Sequence, residues 1–262
     1  MSTQTFYTEK IRDLNEKIKA NPQDGFSLSW RAVQWAKCDA LFHVARESYY
    51  RDRGLWLSLL NEDIAKAVEV APKDATVYQN IVVAMQLASN REIRDNSLWA
   101  TISPESAATM KKNLAHFEEI MLNAFQSGVD LGDPKIGGAK AWFLLKKIAR
   151  SDEAARPALL GELSAAAKLS PDDVTAILCR SAGFSVWALR PEIRAAAAKD
   201  AEAKIDALAL AQPQETHDGM SRVARMIRIK DGDIARQWQE RAAAIPGVKI
   251  CPDNKLLAYT FK

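Results

Sequence analysis

Ile64-Ala-Lys-Ala67-Val-Glu-Val-Ala-Pro72-Lys-Asp74, followed by Tyr78, is the stretch on which the fold turns. A helical, alanine-bearing segment stops at a proline, and an acid two residues later opens the next segment. Proline lacks the N–H that a helix interior needs, and an acid near the following N-terminus complements the helix dipole. The arrangement occurs four times, at Asn21-Pro22-Gln23-Asp24, Ala71-Pro72-Lys73-Asp74, Ser170-Pro171-Asp172-Asp173 and Gln212-Pro213-Gln214-Glu215. Ten residues after the proline stands Ala32, Val82, Ser181 or Val223, and thirteen after it Trp35, Met85, Phe184 or Met226. A small or β-branched residue therefore lies one turn before a large apolar one in each copy, as on a helix face that packs against a neighbour.

Outward from these junctions the chain reads as helix almost throughout. Gly and Pro number only 11 and 10 in 262 residues, and period-two runs of β-branched residues are nearly absent. Ser103-Pro104-Glu105 carries a cap, a first-turn proline and a first-turn acid. The helix it starts runs to about Phe125 along the seam Ala107, Met110, Leu114, Phe117, Met121 and Ala124, and Gly128 and Gly132 end it. Further helices are expected over 5–20, 26–48, 55–70, 75–90, 138–150, 157–169, from Val174, and over 191–211, 215–230 and 233–244. Short connections favour antiparallel neighbours, so the expected fold class is all-α, an array or bundle of antiparallel helix pairs. A short C-terminal β-hairpin is expected over 247–261, where two apolar runs flank Pro252-Asp253-Asn254. No segment has linker composition, and 1–262 reads as one helical-repeat domain, weakest at 128–138, a Gly-rich stretch broken by Pro134.

The junctions resemble those between tetratricopeptide repeats, in which a proline closes one helix pair and an acidic turn opens the next. Ala67, five residues before Pro72, and Tyr78, six after it, match that pattern, as does Leu163-Ser-Ala-Ala166-Ala-Lys-Leu-Ser-Pro171-Asp-Asp173. The proline spacings of 50, 99 and 42 depart from the family's period of about 34, and the W-x-x-L-G-x-x-Y half is missing. The resemblance covers about half the chain and implies a degenerate helical array with a protein or peptide partner on its curved face. It does not bring the family's carboxylate clamp, a Lys and an Asn on the first helix. The matching positions hold Ser29 and Val33, Gln79 and Val83, Leu178 and Ala182, and Met220 and Ala224.

Composition narrows the remaining classes. A mean hydropathy of −0.22 and the lack of an apolar run near 18 residues argue against a membrane span or membrane partner. The opening Met-Ser-Thr-Gln-Thr-Phe-Tyr-Thr-Glu-Lys has no basic region followed by an apolar one, so no secretory signal is expected. Cys38, Cys179 and Cys251 are odd in number and widely spaced, which fits reduced thiols and a cytoplasmic location. His43 with Glu47 and His116 with Glu119 share helix faces, but a metal centre needs two further ligands of matching spacing. No metal or cofactor is therefore expected. Gly132-Asp-Pro-Lys-Ile-Gly137-Gly138-Ala-Lys140 lacks the Gly-Lys-Ser/Thr ending of a phosphate loop. No nucleophile signature appears either, and catalysis has no positive support; a helical enzyme with a site assembled from distant side chains is the third reading.

Two basic features remain. Arg222, Arg225 and Arg228 recur every three residues, and Lys135, Lys140, Lys146, Lys147 and Arg150 form a run with no acid over 135–150. Nine residues after the junction proline stands Arg31, Arg180 or Arg222, with Ile81 in the fourth copy. A solvated helix face is the plainer reading, because Asp218, Asp231 and Asp233 dilute the first stripe. The functional reading is a groove for an acidic partner or a phosphate backbone. Among seven tryptophans, Trp99 in Asn96-Ser-Leu-Trp99-Ala-Thr is expected to stand exposed between two helices. The candidate partner-binding residues are therefore Arg31, Trp99, Arg180, Arg222, Arg225 and Arg228. The leading expectation is a protein-interaction scaffold, ahead of a nucleic-acid or anion binder.

Overall fold

The computed structural model describes the backbone of residues 3–37, 46–228 and 230–249, and the side chains of 9–37, 57–94, 96–228 and 230–249. Every regular element among the described residues is a helix. The chain divides into two compact units, Met1–Asp133 and Pro134–Lys262, and the division falls inside the Gly-rich stretch 128–138. The hairpin expected over 247–261 lies outside the described residues beyond Lys249. Residues 246–249 form a turn and coil, and both backbone groups of Lys249 bond to the Gln214 carboxamide.

The first unit holds α1 (Thr3–Ala20), α2 (Gly25–Lys37), α3 (Arg46–Val70), α4 (Ala75–Ile102) and α5 (Pro104–Asp130). Helix α2 packs on α1, α3 and α4, and α5 lies along α4. Asp74 caps α4 by accepting from the Thr76 N–H, and the Tyr78 hydroxyl donates to the Pro72 carbonyl oxygen. Helix α4 runs to Ile102, well past the expected end near 90, because 91–102 contains no Gly or Pro to stop it. It stops at Ser103, whose N–H still donates to the Trp99 carbonyl and whose Oγ accepts from the Ser106 N–H to start α5. Trp99 thus lies in the last turns of α4, not in a connection. Gly132, at φ +69°, turns the chain out of α5, a conformation that suits glycine.

A buried polar contact ties α1, α2 and α3 together. Arg31 donates from Nε and a terminal nitrogen to the two oxygens of Asp63 (2.8 and 2.6 Å), and from its other terminal nitrogen to Asn15 Oδ1 (2.7 Å). Trp35 Nε1 donates to the same carboxylate at 3.0 Å, so Asp63 serves three donors. Breaking a buried pair from one side leaves the other charge stranded. Asp63→Ala should therefore lower stability by about 3–5 kcal/mol in denaturant melts, and Asp63→Leu with Arg31→Met should recover most of the loss.

The second unit holds α6 (Ile136–Arg150), α7 (Arg156–Leu169), α8 (Val174–Trp187), α9 (Pro191–Ala211), α10 (Pro213–Ile227) and α11 (Gly232–Ala243). Helix α8 is central and packs on α6, α7, α9 and α10, while α11 lies on α10. Ile136, Leu144, Leu145, Ile148, Leu163, Leu178, Ile205 and Ile227 are among the fully buried aliphatic side chains of this unit. Asp173 caps α8 through the Ala176 N–H, and Asp231 caps α11. At the fourth proline junction the helix starts at Pro213 itself rather than three residues later. The small residue ten positions after each junction proline is buried in all four copies, at 0–4% exposure for Ala32, Val82, Ser181 and Val223.

Both units share one close approach. The first turn of α2 meets the last turn of α3, where a Cβ on Gly25 would lie 3.3 Å from the Ala67 carbonyl oxygen and closer still to Ala71. The first turn of α6 meets the last turn of α7, where a Cβ on Gly137 would lie 2.7 Å from the Ala166 carbonyl oxygen and 2.5 Å from Ser170 Oγ. Ala67 and Ala166 are fully buried, and the Gly137 N–H donates to Ser170 Oγ at 3.1 Å. Lys135 supplies no cap to α6, so the serine before Pro171 serves in its place. Gly137→Ala should cost about 1–3 kcal/mol by overpacking. Gly161→Ala, in the interior of α7 with nothing within 4 Å of the added carbon, should gain about 0.5–1 kcal/mol from helix propensity. Chemical denaturation of both variants checks the contact, and shifts of the same sign would mean that Gly137 is not tightly packed.

Candidate functional site

The two basic runs, far apart in sequence, meet in the second unit. Helix α6 buries Ile136, Ala141, Leu144, Leu145 and Ile148, which leaves Trp142 and Lys146, one turn apart, at the edge of that face. The Lys146 ammonium lies 5.6 Å from the Trp142 ring centroid. From α10 the Arg222 guanidinium reaches within 5.8 Å of the same ring. The approach depends on Gly219, one turn before Arg222. A Cβ there would sit 2.7 Å from Leu178 Cδ1, so glycine lets α10 lie close on α8 and carries Arg222 towards α6.

Charge is crowded at this point. Burial, and then the charges of Arg150 and Arg222, push the Lys146 ammonium down to about 8. Holding that cation at neutral pH costs the folded state on the order of 3 kcal/mol relative to an ordinary lysine. A cation over a desolvated indole returns about 0.5–2 kcal/mol of this. Phe143 extends the aromatic surface, with the Lys147 ammonium 6.0 Å from its ring. Behind it Cys179 is fully buried, and burial pushes its thiol far above the usual range, so it is no nucleophile.

The opposite sign gathers at the N-terminal ends of the same helices. Gly138 leaves space that the Asp173 carboxylate enters, and Asp173 also feels Glu215 and Lys135. Burial, above all, raises the Asp173 carboxyl above its ordinary value, against the lowering effect of the bond from the Ala176 N–H. Asp218 on α10 lies 3.0 Å from His217 Nδ1 and accepts from Gln214 at 3.1 Å. The α6–α8–α10 face thus runs from acids at one end to Lys146, Arg150 and Arg222 further along.

The sequence candidates separate on this frame. Arg31, in the first unit, is held by Asp63 and Asn15. Arg180 lies 3.5 Å from Asp200 of α9 and over the Phe184 ring at 5.8 Å. All three arginines of α10 are exposed; Arg222 reaches Trp142, Arg225 bonds to the Ser221 carbonyl oxygen and Arg228 closes α10. A step of three residues turns about 300° around a helix, so Arg225 is offset by about 60° and Arg228 by about 120° from the direction of Arg222. Trp99 is exposed in the first unit beside Leu98 and Ile102. A separate cleft of about 600 Å³ opens between α9 and α11, lined by Ile205, Trp238, Glu202, Glu240 and Arg241. Its arginine is held by Asp206 and the Glu202 carbonyl oxygen.

The placing of Trp142 on α6 has one signal in the sequence, a shared spacing of glycine and tryptophan. Trp30 stands five residues after Gly25, and Trp142 five after Gly137. Each ring carries a lysine, Lys37 at 5.2 Å from Trp30. Among the described residues no helix is long and apolar enough to cross a membrane, and no cluster of three or more His, Cys, Asp or Glu could hold a metal. No protein-family model, curated protein or solved structure matches the chain.

The Lys146 proton gives this site a pH signature. The folded chain releases it near pH 8, and the unfolded chain keeps it to about 10.5. The unfolded state therefore binds more protons between those values, and stability should rise with pH across that window. Lys146→Met should be more stable than the parent chain by about 1–2 kcal/mol at pH 7, with the gap closing by about pH 10.5. Denaturant midpoints across pH measure it, and a gap independent of pH would exclude Lys146 as its source.

Proposed function

We propose that this chain is a protein-interaction scaffold, an array of antiparallel helix pairs of tetratricopeptide kind, which holds an acidic partner segment on the α6–α8–α10 face. One observation carries the proposal: Lys146 and Arg222, from separate basic runs, converge on the buried Trp142 ring. Their crowding costs stability that packing alone would not select, and such local conflicts concentrate at functional sites. The array reading is supported by the recurring junction, in which a glycine opening one helix meets an alanine five residues before the proline that ends the next. It is further supported by the mutual packing of α6 with α8 and α8 with α10, and of α2 with α4.

A protein segment suits the face better than a nucleic-acid strand. A strand tracking along it would meet Asp173, Glu215 and Asp218 after leaving the cations, whereas a peptide can alternate its own charges to match. Fluorescence anisotropy with a labelled glutamate-rich peptide tests the proposal. Binding should weaken by about tenfold or more in Arg222→Glu, fall with added salt, and stay unchanged in Arg236→Glu on α11. Tight binding of single-stranded RNA with none of the peptide would favour the nucleic-acid alternative. Binding of neither would dispose of the acidic-partner reading.

A further inference from the structure

We infer that Lys146 and Arg222 at Trp142, with Arg150 beside Lys146, receive a phosphomonoester dianion carried on a side chain of the partner peptide. The inference rests on the reading of this face as the partner site and names the group it reads. Arg222 comes from α10 to the ring that Lys146 of α6 also meets, at 5.8 and 5.6 Å, and Arg150 is one turn beyond Lys146, close enough for its charge to act on it. The nearest acid on α10, Asp218, bonds to His217 and Gln214 and also feels the Arg222 charge, so it offsets part of that one cation.

Charge number and oxygen count separate the candidate anions. A carboxylate brings one charge and two coplanar oxygens, and a single guanidinium fork takes both. A phosphoryl group brings about 1.5–2 negative charges at neutral pH and three tetrahedral oxygens. Two of these can face the Arg222 fork and leave the third for the Lys146 ammonium. Trp142 walls one side of the half-buried Lys146 ammonium, where an anion is attracted more strongly than in open water, while Arg150 and Arg222 stand exposed beside it. A dianion also relieves more of the repulsion among three cations than a monoanion does. The acids at the other end of the face confine this preference to an isolated phosphate rather than a chain of them.

Anisotropy on the intact chain decides the matter with three labelled peptides of one short Glu–Ala sequence, bearing serine, glutamate or phosphoserine at the centre. The phosphoserine peptide should bind at least about tenfold tighter than the glutamate peptide, and inorganic phosphate should displace it. Arg222→Lys keeps the charge and loses the fork. It should cut that preference below about threefold by weakening the phosphoserine peptide more than the glutamate peptide. Equal binding of the phosphoserine and glutamate peptides overturns the inference and leaves the acidic-partner reading intact. Failure of all three peptides overturns both. Inorganic phosphate binding as tightly as the phosphoserine peptide overturns the peptide as source and assigns the site to free phosphate. Full preference retained in Arg222→Lys likewise overturns the assignment.

Discussion

The close approach between the start of one helix and the end of its partner is the contact on which the rest depends. At Gly25 and at Gly137 the two backbones come so near that no side chain fits between them. The partners are small for the same reason, Ala67 and Ala71 in the first unit, Ala166 and Ser170 in the second. The junction prolines follow at once, ending the helix where it has just been fixed. Glycine costs helix stability, so its place in a first turn reflects the space available. Once that turn is anchored, every later residue of α2 or α6 has a set direction. The fifth residue on is a tryptophan in both units.

Arginine nine residues after a junction proline serves different ends because its surroundings differ. Arg31 finds Asp63 on α3, and two charge-assisted bonds turn it into a strut among three helices. Arg180 has Asp200 on α9 at a looser 3.5 Å, with both side chains partly open to water, where such a pair contributes little. Arg222 is directed instead to an indole that Lys146 already approaches. The first arrangement stabilises the fold; the last opposes it. A core that buries Leu144, Leu145 and Ile148 directly beneath tolerates the opposition, since a site that costs a few kcal/mol needs that much stability held elsewhere.

Most helices were legible in the sequence because caps, prolines and seams are local signals. The start of α5 at Pro104 and the span of α9 over 191–211 needed no tertiary information. The long reach of α4 was misjudged, because polar residues after 90 lower apolar periodicity without breaking a helix. The glycine–tryptophan spacing at 137–142 was passed over for another reason. Asp133-Pro134-Lys135-Ile136 has no acid two residues after its proline, since Ser170 of a different helix caps α6 instead. The cation cluster was not legible at all. It depends on how closely α10 approaches α8 at Gly219, and neither basic run contains that distance.

One residue accounts for the difference between the two tryptophan faces. The position after the anchoring glycine is Phe26 in α2 and Gly138 in α6. Phe26 lies parallel to Trp30, with centroids 6.5 Å apart and an interplanar angle of 11°, so the start of that face is apolar and aromatic. Gly138 leaves the equivalent space to the Asp173 carboxylate, which burial keeps partly out of water. The same backbone frame therefore presents two stacked rings and a lysine in one unit. In the other it presents a carboxylate, an indole and three cations in order along the helices. Stacked rings reward any flat apolar surface, whereas a line of opposed charges rewards a ligand of one polarity in one direction. Selectivity in the second unit thus begins with a missing side chain, and the cations further along supply its sign.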